Sequence, residues 1–430
     1  MITTKLYRYI RFAAFVIIAI FIFGCTDKFM DYNENKHQAS EEMMSWDNFK
    51  TGSFFSQLQR NVVMFKDGIN AASDYQVAQG LSSDLYSGYV APTGTWYGGV
   101  HNGSYAFQTG WIAQMFEKPF VYAMPAWESV TKIAIEQNLP EIAALATVVK
   151  VAAMHRVTDT YGPIPYINFG EGNLQVDYDS QEDVYKKFFE ELDEAINELT
   201  SFAIGNPGVS IMEEFDYVYN GDATKWVKFA NTLRLRLAMR VVYANANLAR
   251  TEAEKSINNA IGVITSSSEK ASLKHSSSLI YYHPLWEIKD FNSGEARMNA
   301  SMDAYMNGYN DPRRSRYFTA ASDGGYHGVR LGIITTNWSN YVGDKISSLN
   351  IDESSTEIVW MTAAESYFLR AEGALRGWNM GGTAKSLYES GITVSFEETG
   401  AGSAANYINS TATPAAYVDN ATGANGMSAP

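Results

Sequence analysis

The chain has 430 residues, 47 acidic against 33 basic, a formal charge of −14 and one cysteine. So acidic a surface repels phosphate backbones, which argues against a nucleic-acid partner, and a single thiol excludes an internal disulfide framework. The fold must therefore rest on its core, and a chain of this length can bury a large one. The 27 Tyr, 22 Phe and 9 Trp supply rings for that packing and for stacking on a ligand.

Residues 1–24 read as a signal peptide: Lys5, Arg8 and Arg11 form a basic start, and Phe12 to Phe23 is an unbroken apolar run. The run is shorter than the roughly 20 residues a membrane span needs and has the length of a secretory core segment. Ile22-Phe23-Gly24-Cys25 resembles a bacterial lipobox, with Ile22 and Phe23 departing from the usual residues. Cleavage there makes lipidated Cys25 the new N-terminus and leaves 30 basic against 47 acidic residues, a charge of −17. Residues 25–45 are polar and aperiodic, a tether from the membrane. Residues 46–430 carry no proline-rich or glycine-serine linker before about residue 400 and read as one domain.

Helical periodicity begins at Pro140, suited to a first helical turn. Ser180 and Asp183 open the next helix as a capping pair, followed by an apolar stripe of Val184, Phe188, Leu192, Ile196 and Leu199. Asp222 is placed to cap a third, whose buried face is Trp226, Ala230, Leu233, Leu237 and Val241. Thr251 and Glu254 predict a capping box at the start of a fourth, and Met361–Arg376 and Thr383–Phe396 predict a late pair around a glycine turn. These features predict an all-α fold, predominantly helical, of hairpins arranged as in helical-repeat scaffolds. Residues 66–110 and 266–356 lack the period and are rich in Gly, Ser and aromatics, as expected of long functional loops.

Five segments, in order, resemble the SusD/RagB family of nutrient-binding outer-membrane lipoproteins. They are DYQVAQGLSSDLYSGY near Tyr75, DTYGPIPY at Asp159–Tyr166, GDATKWVKFANTLRLRLAMR at Gly221–Arg240, ARMNASMDAYMNGYNDPRRSRYF at Ala296–Phe318, and AAESYFLRAEGALRGW in the late hairpin. The resemblance covers most of residues 25–397. It implies a tetratricopeptide-like hairpin scaffold with irregular ligand-binding loops, an outer-membrane location facing the cell exterior, and a TonB-dependent, SusC-like transporter as partner. It also implies an oligosaccharide or peptide nutrient that is bound and not chemically altered. The family continues past the late hairpin into another helical segment, whereas here a Gly-, Ala- and Asn-rich stretch follows. A truncated C-terminus, with an exposed apolar patch, is the expectation.

A sugar surface needs flat aromatic faces with amides or carboxylates at their edge. Two clusters offer this: Trp96 and Tyr97 with Asn102, and a split set of Trp286, Asp290, Tyr326, Asn337 and Trp338. The plainer reading of each is a loop anchor packed on the scaffold. Asp159 and Tyr161, and Asn310 to Pro312, read as turn-forming residues. No catalytic residue, metal site or cofactor is expected. The six histidines stand apart in sequence (His37, His101, His155, His275, His283 and His327), and no HExxH, GxSxG, phosphate-loop or dinucleotide pattern occurs. The competing functions are a helical-repeat lipoprotein that binds peptides or proteins, and an exported glycosidase.

Overall fold

The computed structural model describes residues 48–65, 72–93, 100–172, 175–291, 296–332, 341, 343–351, 353–419 and the backbone of 425–427. The signal peptide, Cys25 and the tether lie outside them. The chain divides into two units, Met1–Lys50 and Thr51–Pro430; the packing and cavities described below lie in the second. Among the described residues, no helix is long and apolar enough to cross a membrane.

Helix dominates. The main helices are α1 (Phe49–Gln59), α2 (Met124–Glu136), α3 (Pro140–Tyr161), α4 (Gln181–Gly205), α5 (Ala223–Arg240), α6 (Ala246–Asn258), α7 (Ala300–Gly308), α8 (Ala363–Leu375) and α9 (Ala384–Thr399). Consecutive helices from α2 to α6 pack as hairpins, α8 packs on α9, and α5 also packs on α8. The expected stripe of α4 is fully realised: Val184, Phe188, Leu192, Ile196 and Leu199 are all at most 2 % exposed. Burial of side chains this size contributes about 1.5–3 kcal/mol each. Ser180 Oγ accepts the Asp183 amide at 3.1 Å and Asp222 accepts that of Lys225 at 3.1 Å, so both expected caps form. On α5, Trp226, Ala230, Leu233 and Leu237 are fully buried, while Val241 lies just past the helix end and is half-buried.

Two boundaries differ from expectation, and α2 and α7 were not expected, α7 lying in a stretch read as loop. The helix expected to start at Thr251 begins at Ala246, capped by Asn245, whose side chain accepts the Leu248 amide at 3.0 Å. Asn is as good a cap as Thr, and Ala246 to Arg250 favour helix over the turn that a later start requires. Glu254 instead pairs with Arg250 one turn back, at 3.0 Å. Met361 is in a strand and α8 begins after Thr362, which caps it by accepting the Glu365 amide. Helix α2, not among the expected elements, continues directly from the helical turn Pro119–Ala123, with Pro125 near its start.

Strands are short: β1 (Val90–Ala91), β2 (Ala271–Leu273), β3 (Arg297–Met298), β4 (Ile358–Met361), β5 (Tyr417–Val418) and β6 (Asn425–Met427). They form the antiparallel pairs β1–β3, β2–β4 and β5–β6. The pair β2–β4, with Ala271 opposite Met361, delivers the chain into α8. The pair β1–β3, with Val90 opposite Met298, joins the two aperiodic regions. Beside that pair a second core gathers Tyr75, Leu85, Val90, Ile288, Met298, Met306, Phe318 and Leu349, separate from the main helical core.

In the main core, Asp216 is 1 % exposed and accepts four hydrogen bonds from N–H groups. They come from Trp226 Nε1 at 2.7 Å, Gly221 at 2.7 Å, Val218 at 3.0 Å and Tyr219 at 3.2 Å. Gly221 has φ +79°, and a Cβ there would lie 2.8 Å from the Ile211 backbone, so only glycine fits the turn. Asp216→Ala should cost about 3 kcal/mol, because it strands buried donors and does not merely remove a bond. Urea unfolding checks this, with an unchanged denaturant slope expected.

Candidate functional site

The loop that follows Val100 is organised from within. His101 Nδ1 accepts the Gly103 amide at 3.1 Å while Ser104 Oγ accepts the His101 amide at 3.1 Å, a reciprocal cap on the short turn Asn102–Ser104. Asn102 is fully buried, and its Oδ1 accepts the Gln108 amide at 2.8 Å. Its side chain thus helps to shape the loop, while its Nδ2 has no partner among the described residues. What the loop does present is Tyr105, in the left-handed conformation at φ +58° and 73 % exposed. Its ring stacks on Tyr86 at 5.6 Å and 14°, and Tyr86 Oη donates to the Asn102 carbonyl at 2.7 Å. Tyr89 and Phe107 are also exposed.

The second cluster is anchored by the short helix Pro284–Ile288, capped by His283 Nδ1, which accepts the Leu285 amide at 3.1 Å. Trp286 on that helix is half-buried and tilted against Tyr282 at 5.7 Å. Asp290 is exposed and lies 3.5 Å from the guanidinium of buried Arg297. Tyr326 packs on the second core beneath Arg314, whose guanidinium carbon is 5.1 Å from the ring centre. Trp96, Tyr97, Asn337 and Trp338 lie outside the described residues.

The two clusters, far apart in sequence, meet at Gly103. A Cβ at Gly103 would lie 2.9 Å from Leu331 Cδ1, and one at Gly332 would lie 3.2 Å from the Gly103 carbonyl oxygen. Leu331 and Tyr326 also share the second core with Leu285 and Leu85. The exposed rings Tyr86, Tyr89, Tyr105 and Phe107 were not singled out from sequence. Tyr105 closes the same glycine-rich stretch as Trp96, so the signal was present, but burial distinguishes it from its neighbours only in three dimensions.

Comparison with known proteins decides the family. The model described as "SusD-like: Susd and RagB outer membrane lipoprotein" matches residues 31–430. The chain belongs to the SusD/RagB family. A chitin-binding SusD homologue from Flavobacterium johnsoniae is 39% identical, with a TM-score of 0.82 over 89% of this chain and 77% of that one. A SusD homologue from Bacteroides vulgatus is 33% identical, with a TM-score of 0.82 over 90% and 78% of the two chains. Another from Bacteroides uniformis is 34% identical, with a TM-score of 0.79 over 87% and 76%. No curated protein matches the chain.

In this SusD-like chain both loops depend on histidines that must stay neutral, because a ring nitrogen accepting an amide hydrogen bond has no place for a second proton. Burial lowers the pKa of His101 and pushes that of His283 down to about 4. As pH falls below about 6.5 the unfolded chain takes up these protons first, so for His283 the stabilisation is full above 6.5 and is lost progressively toward 4. For His283 the loss reaches about 2 kcal/mol at pH 5. His283→Asn keeps a capping acceptor without a titrating group, and should flatten the fall in melting temperature between pH 6.5 and 4.

Proposed function

We propose that this protein is a cell-surface lipoprotein that binds an oligosaccharide nutrient and hands it to a TonB-dependent outer-membrane transporter. The observation that carries the reading is the stacked, exposed Tyr86–Tyr105 pair, with Tyr89 and Phe107 also exposed. Aromatic faces held rigidly in a capped turn suit the apolar side of pyranose rings, and little conformational entropy is lost when they are covered. Trp96 and Tyr97 precede Tyr105 in the same stretch, and Asn337 and Trp338 follow Gly332, which approaches Gly103; these four extend the proposed site, together with Trp286, Asp290 and Tyr326. A relative is described as chitin-binding, which makes chito-oligosaccharides the first ligands to try. Binding without turnover separates this reading from a glycosidase, and preference for glycans over peptides separates it from a peptide receptor.

Tyr105→Ala should weaken oligosaccharide binding about tenfold, taking roughly 1.4 kcal/mol from a ring face and its stacking geometry. Being exposed, the substitution should shift stability by no more than about 0.5 kcal/mol. Calorimetric titration and a melting curve on the same variant check both, and unchanged affinity in an intact fold would remove the platform from the site. Trp96→Ala should behave alike; a loss of about 3–5 kcal/mol of stability instead would make it a core anchor.

The membrane attachment is tested separately. Cys25→Ser should move the protein from the membrane pellet to the soluble fraction, since stable anchoring needs the acyl chains. Retention in the pellet would mean an uncleaved apolar anchor. Protease shaving of intact cells checks the outward orientation.

A further inference from the structure

A cavity of about 460 Å³ lies where the C-terminal ends of α3 and α5 approach the helical turn Gln76–Gly80 and strand β4. It reaches solvent at Ser83, Thr160 and Arg240, and its size falls within the roughly 300–1,000 Å³ of small-molecule sites. Three guanidiniums line it. Arg236 grips Glu365 through Nε at 2.6 Å and Nη2 at 2.8 Å, and Arg240 lies 3.1 Å from Asp159. Arg156 donates instead to two neutral acceptors, the Val62 carbonyl and Gln79 Oε1, and makes no ion pair among the described residues. Asp84, whose field reaches Arg156, is held by Tyr75 at 2.7 Å and Gln79 at 2.9 Å.

Two buried polar atoms in the same wall have no partner among the described residues. His155 is 2 % exposed and its Nδ1 lies 3.0 Å from Asp159 Oδ2. Burial would raise the Asp159 pKa, but hydrogen bonds from His155 and Tyr185 and the Arg240 charge hold it below the usual range, so the carboxylate only accepts. The imidazole therefore keeps its proton on Nδ1, which leaves a lone pair on Nε2, and that atom is unpartnered. Trp360, 7 % exposed, lines the cavity with an unpartnered indole N–H. A buried polar atom left unpaired costs about 1–3 kcal/mol. A site that holds one such donor, one such acceptor and a guanidinium whose charge meets no carboxylate suits a ligand that engages all three.

We infer that this cavity binds a small hydroxylated carboxylate of about the size of one acidic sugar residue. The carboxylate accepts from the Arg156 guanidinium and the Trp360 indole, and a hydroxyl donates to His155 Nε2. Phe229 and the Trp360 ring supply the apolar wall. The site is separate from the loop platform and does not depend on it.

The test is calorimetric titration of the full-length lipidated protein in detergent with sodium D-glucuronate, D-glucose and sodium acetate. Glucuronate should bind saturably, with glucose and acetate at least about tenfold weaker, since each lacks one half of the recognition. Trp360→Phe, which keeps the ring and removes the donor, should weaken glucuronate about tenfold and leave oligosaccharide binding on the loops unchanged. Arg156→Lys, which loses the planar fork, should weaken glucuronate likewise, so whichever variant keeps the wild-type circular dichroism spectrum decides. Absence of saturable heat, equal binding of glucose or acetate, or full glucuronate affinity in a folded variant overturns the proposal and means that water alone fills the cavity.

Discussion

The indole of Trp226 is the joint on which both halves of the architecture bear. Among the described residues it is the largest fully buried side chain, and it meets Phe55, Tyr219, Phe229 and Trp360 edge-on or tilted, at ring separations between 5.2 and 6.4 Å. Those rings come from α1, the turn before α5, α5 itself and β4, so one side chain ties the hairpin scaffold to the strand that leads into α8. A buried indole needs an acceptor for its N–H, and Asp216 provides it at 2.7 Å. A buried carboxylate in turn needs more than one donor, which is why the turn from Asp216 to Asp222 wraps its amides around the same group. The requirement that no buried polar atom be left alone thus fixes the path of the chain into α5, and the cap and stripe of that helix follow.

The helical part of this arrangement was legible because helices announce themselves locally. Caps such as Ser180 and Asp222 and stripes such as Val184 to Leu199 repeat within one turn, and the expected residues are the buried ones. The errors came where two local signals competed. Asn245 and Thr251 are both sound caps, and the one that lets more of α6 form and pack on α5 prevailed. Family membership was also readable, since motif order survives where no single motif is decisive.

The proposed ligand surface was legible only as composition. Gly, Tyr and Trp in residues 66–110 and 266–356 promised loops with rings, but which rings face outward depends on the second core, built by contacts between regions some 200 residues apart. Asn299 Nδ2, for example, reaches across 209 positions to the Val90 carbonyl at 3.2 Å. Asn102, expected at a ligand's edge, is buried and its Oδ1 braces the backbone, because a short amide in a tight turn satisfies the backbone as readily as it meets solvent. Nothing in one dimension separates those uses.

The scaffold and the loops handle polar groups in opposite ways, and function follows from the contrast. In the hairpins, charge is internal and paired: Lys150 meets Glu191 at 2.8 Å and sits 3.7 Å from the Trp127 ring centre, and Arg234 reaches both Asp193 and Glu252. On the platform, polar groups are spent on holding turns, and the surface is left to rings. That division suits a receptor whose ligand is neutral and flat-faced, since rings bind through shape and desolvation while the rigid frame beneath limits the ordering cost of binding. It also explains why His155, Trp360 and Arg156 stand out. They line one cavity in the scaffold, where two buried polar atoms without partners among the described residues stand beside a guanidinium that meets no carboxylate.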